Sequence, residues 1–150
     1  MMFLKTNSNN EDFKALVKLL DAHLAITDGA EHDFYNQFNK IIHIKQVIVV
    51  YENENPIGCG AIKQYEAKTA EVKRMYVAPE MRGQGIALKI LNELEIWAQE
   101  LSFDKCILET GVRQPDAIAL YKKSGYEIIP NYGQYENVDN SVCFEKILKS

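Results

Sequence analysis

The apolar residues change period along this chain, and that change limits its fold more than any other feature. Phe13, Leu16, Val17, Leu20 and Leu24 fall at i, i+3, i+4, i+7 and i+11, the stripe of one helical face. From Gln46 the helical spacing is gone. Residues 46–51 are β-branched, 52–56 are polar and turn-like, and 57–65 and 69–77 read as two further strands, which predicts an antiparallel meander. Helical spacing returns in Ile86, Ile90, Leu94, Trp97 and Leu101.

The rest of the chain fills in around these runs. Residues 3–5 read as a short first strand. Asn10 is a candidate N-cap, followed by Glu11 and Asp12 in the positive first turn of the first helix. Asp28-Gly29 breaks that helix, and a second, shorter one carries Phe34, Phe38, Ile41 and Ile42 on one side. Residues 105–110 read as a buried strand and 115–123 as a helix with Pro115 in its first turn and Gly125 as its stop. Residues 126–129 and 141–147 close the order β-α-α-β-β-β-α-β-α-β-β, an α/β layered domain with a mixed sheet. The 150 residues suit one domain over 1–150, long enough to bury roughly 68–70% of the unfolded surface without disulfide or metal staples.

Charge and cysteine use narrow the partners. Seventeen basic residues stand against 21 acidic ones, a net charge of −4 with no basic stripe, which argues against nucleic acid and mildly favours a cationic small partner. Cys59, Cys106 and Cys143 are far apart, each in an apolar run, and read as buried free thiols of a reducing compartment. No cysteine pair has metal-ligand spacing and His23, His32 and His43 are dispersed, so no metal is expected. Met1-Met2-Phe3-Leu4-Lys5 turns polar too quickly for a signal peptide, and no apolar run is long enough for a membrane span. The expectation is a cytoplasmic protein.

The most informative segment joins a strand to the long helix through Arg82-Gly83-Gln84-Gly85. Glycines let a backbone approach a ligand closely, and successive N–H groups at a helix start attract phosphate oxygens. Arg82 adds a fixed charge with a phosphate-matching fork. No Gly-Lys-Ser/Thr follows, and G-x-G-x-x-G is incomplete, so the turn is neither a P-loop nor a dinucleotide fingerprint. Alone, it fits a phosphate cradle and an ordinary strand–helix connection equally.

Three motifs in order decide between them. Arg82-Gly83-Gln84-Gly85-Ile86-Ala87 fits the Q/R-x-x-G-x-G/A acyl-CoA signature of the GNAT N-acetyltransferase superfamily, Glu71–Val77 resembles that family's fourth strand, and Ala117–Tyr126 resembles its A-x-x-L-Y-x-x-x-G-F/Y segment. The chain is identified as a small, bacterial-type single-domain member. The resemblance implies the family's fold, a mixed, mostly antiparallel sheet with helices on both faces, and acetyl-CoA as co-substrate with no metal. It also implies that the fourth and fifth strands splay, that the backbone of Met75, Tyr76 and Val77 meets the pantetheine arm, and that the N–H groups of Arg82, Gly83, Gln84, Gly85, Ile86 and Ala87 hold the pyrophosphate. Many members carry Asn where this chain has Gln114; the amide survives with a longer reach.

Acetyl transfer to an amine needs a base for the ammonium proton, a donor for the oxyanion, and a proton for the departing thiolate. Glu71 lies eleven residues before Arg82, the spacing at which similar members place a catalytic glutamate; the alternative is a surface pair with Lys73 or Arg74. Glu109 on the next strand is the second candidate. The backbone N–H of Met75 or Tyr76 is the oxyanion donor, where this family's fourth strand often bulges. Tyr121 either packs into the core or, by the motif, protonates the thiolate.

The acceptor site of similar proteins is framed by the first two helices and the loop before the last strand, here residues 27–39 and 130–140. Asp28, His32, Tyr35, Arg74 and Glu109 are the candidate acceptor contacts, with Asn131, Tyr132, Gln134 and Tyr135 in the later loop. Their polarity suits the primary amine of a small polar acceptor, attacking directly in a ternary complex. The membrane and nucleic acid are not expected as partners, and a homodimer is allowed. The rival reading is a catalytically silent acyl-CoA-binding sensor or assembly domain, which has no reason to keep Glu71 and Tyr121 together.

Overall fold

The computed structural model describes residues 1–28 and 43–148. The second helix expected on Phe34, Phe38, Ile41 and Ile42 lies outside the described residues. The elements run β1 (Met2–Thr6), α1 (Glu11–Asp28), β2 (Gln46–Glu52), β3 (Asn55–Glu66), β4 (Thr69–Val77), α2 (Ile86–Glu100), β5 (Lys105–Gly111), α3 (Pro115–Lys123), β6 (Glu127–Ile129) and β7 (Ser141–Ile147), with short 3-10 turns at Pro79–Met81 and Gly133–Tyr135.

The strands form one seven-stranded sheet in the order β1-β2-β3-β4-β5-β7-β6. β1 and β2, β2 and β3, β5 and β7, and β6 and β7 pair antiparallel, while β4 and β5 pair parallel. The sheet is therefore mixed and mostly antiparallel, as expected. A parallel pair needs a crossover, and α2 supplies it between β4 and β5. That pairing is short: Thr69, Ala70 and Glu71 face Lys105, Cys106 and Ile107.

The described residues of Met1–Lys63 and Val72–Leu94 form one compact unit. In it, Asn10 caps α1 as expected, its Oδ1 accepting from the Phe13 N–H at 2.8 Å. The helical stripe then buries Phe13, Leu16, Val17 and Leu20 against Val47, Val49, Cys59, Ala61 and Tyr76. The β2–β3 turn is a two-residue hairpin in which Glu52 faces Asn55 and Asn53 and Glu54 both take positive φ (50° and 70°), the type I′ geometry that matches strand twist. No glycine marks it, so the sequence shows only a polar turn.

Gln64–Glu71 and the described residues of Glu95–Ser150 form the second unit. Glu95, on the C-terminal half of α2, is buried at 7% exposure. The burial is satisfied: the Tyr126 hydroxyl and the Lys146 ammonium each donate to its carboxylate at 2.9 Å. Leu101 departs from the expected stripe. α2 ends at Glu100, Ser102 turns left-handed (φ 69°), and Leu101 stands 43% exposed in the turn.

Candidate active site

The glycine turn sits between the end of β4 and α2. Gly83 and Gly85 take φ of 80° and 78°, a conformation that costs an ordinary residue about 1–2 kcal/mol. A Cβ on either would meet nothing within 4 Å, so both glycines face open space. Arg82 straps the turn to the strand: its Nε donates to the Val77 carbonyl at 2.9 Å and its guanidinium lies 5.8 Å from the centre of the Tyr76 ring. The Gly85 carbonyl accepts the first helical bond of α2, from the Lys89 N–H at 3.1 Å. First-turn N–H groups of a helix have no carbonyl of the same helix to bond, and here these belong to Ile86 and Ala87. Buried Ile86 anchors them, while Gln84 is exposed.

Gln114 caps α3 by position, yet its side chain makes no cap bond. Its Nε2 is buried and has no hydrogen-bond partner among the described residues. An unmet buried amide donor costs about 1–3 kcal/mol, and a ligand carbonyl would satisfy it. The orphaned donor suits a pantetheine carbonyl; the open glycine turn, taken by itself, suits a pyrophosphate.

β4 is irregular at its middle. Arg74 takes φ 60° inside the strand, an uncommon setting for a residue with a Cβ. Its side chain is 4% exposed and its Nη1 donates to Asp21 Oδ1 at 2.9 Å. Arg74 is thus a buried charge paired with α1 rather than a surface one. The Cys59 thiol donates to the Arg74 carbonyl at 3.3 Å. Burial pushes that thiol up to about 12, with the Arg74 charge pulling the other way, so it remains a donor. β3 makes room for the distorted segment: a Cβ on Gly60 would come within 2.7 Å of Met75 Sδ, and one on Gly58 within 3.0 Å of the Tyr76 carbonyl oxygen. Met75 is half-buried; Tyr76 and Val77 are buried.

The second unit gathers the titratable candidates. Glu71 is 6% exposed, and its Oε2 accepts from the Tyr132 hydroxyl at 2.6 Å. Glu109 Oε2 accepts from Ser141 Oγ at 2.7 Å. Burial, with the charges of both carboxylates adding, raises the Tyr135 hydroxyl and pushes the Cys143 thiol up to about 11, so Glu71 and Glu109 share one neighbourhood. Tyr121 belongs to it through Glu109. Burial first and the Glu109 charge second raise its hydroxyl. Its ring is 5.8 Å from Tyr126 and 5.9 Å from Phe144, centre to centre.

The structure therefore places Glu71, Glu109, Gln114 and Tyr121 in the second unit, and Arg74, Met75, Tyr76, Val77 and Arg82–Ala87 in the first. His32 and Tyr35 lie outside the described residues. Asp28 closes α1, and its side chain lies outside them too. Tyr132 is the partner the sequence could not assign: 61 residues separate it from Glu71, and a loop tyrosine carries no signal of what it touches. Among the described residues no group of three or more His, Cys, Asp or Glu is arranged to hold a metal ion, and no helix is long and apolar enough to cross a membrane.

Known proteins supply the comparison. The profile of the acetyltransferase (GNAT) family matches residues 14–126. The IAA acetyltransferase of Azospirillum brasilense is 37% identical over 102 residues, 67% of this chain and 67% of that protein. A Klebsiella pneumoniae structure assigned to the acyl-CoA N-acyltransferases superposes with a TM-score of 0.83 at 28% identity, covering 99% of this chain and 97% of that one. A GNAT acetyltransferase from Elizabethkingia anophelis, solved with acetyl-CoA bound, has the same fold, with a TM-score of 0.69 at 17% identity over 98% and 97% of the two chains. The chain belongs to the GNAT acetyltransferase family and is an N-acetyltransferase.

Proposed function

We propose that the protein transfers the acetyl group of acetyl-CoA to the primary amine of a small polar acceptor, by direct attack in a ternary complex. The observation that carries this reading is the left-handed Gly83/Gly85 turn at the start of α2, where a Cβ on either glycine would meet nothing within 4 Å. When bound, acetyl-CoA supplies an activated thioester. The N–H groups of Gly83, Gln84, Gly85, Ile86 and Ala87 would hold the pyrophosphate; the Arg82 N–H, also expected there, already donates to the Pro79 carbonyl at 3.3 Å. The unmet Nε2 of Gln114 would donate to the pantetheine arm. The backbone of Met75–Val77, beyond the short β4–β5 pairing, would hydrogen-bond it as an added strand does.

Glu71 takes the ammonium proton, directly or through water, and Glu109 stands beside it as the second carboxylate. The N–H of Met75 or Tyr76, just past the left-handed Arg74, donates to the charge that develops on the acetyl oxygen. Tyr121 serves the leaving sulfur. A phenol raised above 10 does not hand its proton downhill to a thiolate whose conjugate acid sits near 8.5, so its contribution is a hydrogen bond that strengthens as charge builds on sulfur, and the departing thiolate takes its proton from water.

The test is a panel of amines (amino acids, polyamines, aminoglycosides and peptide N-termini) with acetyl-CoA, reading free thiol release. At least one amine accelerates release if the reading holds. CoA binding without acceleration by any amine would favour a silent acyl-CoA-binding domain.

A further inference from the structure

Resting on that reading of Glu71, we propose that Tyr132 is a positioning residue whose hydroxyl fixes the Glu71 carboxylate for proton transfer. The contact is short, 2.6 Å, in the range of a phenol donating to a charged carboxylate. The donor is dependable, because burial first and the Glu71 charge second raise the Tyr132 hydroxyl and keep it protonated.

The ring that carries the hydroxyl is held on several sides. Tyr65 of β3 meets it edge-on at 5.1 Å and 71°, and Tyr135, 1% exposed, at 5.8 Å and 89°. Gly133, next in the chain, is left-handed at φ 54°, and a Cβ there would lie 3.0 Å from the Tyr65 hydroxyl. Glycine thus lets the loop close over Tyr65. Asn131, on the other side, ties the loop: its Nδ2 donates to the Val138 carbonyl at 2.9 Å and the Ser141 carbonyl at 3.1 Å. A half-buried, loop-borne phenol aimed at a strand-borne carboxylate joins the loop expected to frame the acceptor to the group expected to deprotonate it.

Glu71 acts electrostatically on Tyr65, Tyr132, Tyr135 and Cys143; Glu109 acts on Tyr135 and Cys143, and Glu66 and Glu136 act on Tyr65. A hydrogen bond from the Tyr132 hydroxyl holds the carboxylate in one orientation, so removing the donor frees Glu71 to leave the proton-accepting position.

Tyr132→Phe keeps the ring and removes that hydroxyl. Carbon-13 NMR of protein labelled at the glutamate carboxyl carbon, with Glu71 assigned by its absence in Glu71→Gln, follows that carboxylate at constant pH without acceptor or acetyl-CoA. The Glu71 resonance moves in Tyr132→Phe. With an amine that accelerates thiol release, kcat falls roughly 10–100-fold while KM and acetyl-CoA affinity hold. The double variant is no slower than Glu71→Gln, since Tyr132 acts through that carboxylate. An unmoved resonance, or a double variant slower by the product of the two single effects, overturns the proposal while leaving Glu71 as base. A full-speed Glu71→Gln overturns the base itself and the proposal with it. Should Tyr132→Phe fail to fold, 3-fluorotyrosine at position 132 gives a more acidic phenol and a stronger donor; the Glu71 resonance then moves, and an unmoved one is again decisive against the proposal.

Discussion

Asp21 on α1 and Arg74 on β4 form a 2.9 Å ion pair, and Arg74 reaches it from a left-handed backbone at φ 60°. The distortion falls one and two residues before the N–H groups assigned to the oxyanion. Three features hold it: the ion pair, the Cys59 thiol on the Arg74 carbonyl, and the space left by Gly58 and Gly60. Strain of this kind persists where the surroundings over-determine it.

Three substitutions separate the strain from the pair. Asp21→Ala leaves the Arg74 guanidinium, 4% exposed, without its partner and costs about 2–4 kcal/mol, at the lower end because Asp21 is 34% exposed. Arg74→Ala and Arg74→Gly both lose the pair, but glycine accepts φ 60° without penalty. Arg74→Gly is therefore about 1 kcal/mol more stable than Arg74→Ala, the reverse of the order in a regular strand. Urea unfolding of the three variants checks both statements; an Arg74→Ala protein equal to or more stable than Arg74→Gly refutes the strain.

Much of the architecture was legible because the signals are local. The stripe from Phe13 to Leu20, the β-branched run at 46–51 and the left-handed glycines each declare themselves within a few residues. Arg82-Gly83-Gln84-Gly85 carried the resemblance, and the family match over residues 14–126 bears it out. Long-range polar partnerships were not legible. Nothing near Glu71 says that Tyr132 donates to it, nothing near Arg74 says that Asp21, 53 residues earlier, buries it, and Glu95 on α2 looks like a solvated charge. A polar residue shows its type in the sequence, but its partner is set by the sheet that brings distant segments together.

Gly85→Val tests the cradle. At φ 78° the β-branched side chain costs at least about 1–2 kcal/mol in stability, yet it meets no protein atom within 4 Å of its Cβ. The fold survives and the side chain stands where the pyrophosphate belongs. Acetyl-CoA then no longer raises the melting temperature of the variant, while it raises that of the native protein. Unchanged CoA affinity by calorimetry would move the phosphate site elsewhere.

The three thiols predict an alkaline limb of stability. Burial raises Cys59 and Cys106 to about 12 and Cys143 to about 11, against about 8.5 for an unfolded cysteine. Each folded-state value lies above its unfolded one, so this contribution is complete below pH 8.5 and declines as pH rises toward 11–12, on the order of 1 kcal/mol per thiol per pH unit. The urea midpoint falls from pH 8 to pH 10, and falls less in Cys106→Ala. Native protein at pH 8 yields no thiol to a chromogenic disulfide, whereas unfolded protein yields three. Rapid titration of a thiol in the folded protein contradicts the burial.

Tyr121→Phe separates chemistry from packing in one variant. The ring contacts with Tyr126 and Phe144 persist, because the substitution removes only the hydroxyl. If that hydroxyl supports the leaving sulfur, kcat falls by roughly 10–10³-fold, equal to about 1.4–4 kcal/mol of barrier, and the melting temperature scarcely moves. Its high proton affinity sharpens the expectation: burial and Glu109 keep the phenol neutral through the working pH range, so its loss lowers the rate without reshaping the pH profile. Acyl donors with more acidic thiols need less help at sulfur, and their rates fall less in Tyr121→Phe than that of acetyl-CoA. A variant that loses about 1–3 kcal/mol of stability while turning over at the native rate would make Tyr121 a core residue whose hydroxyl merely satisfies a buried group.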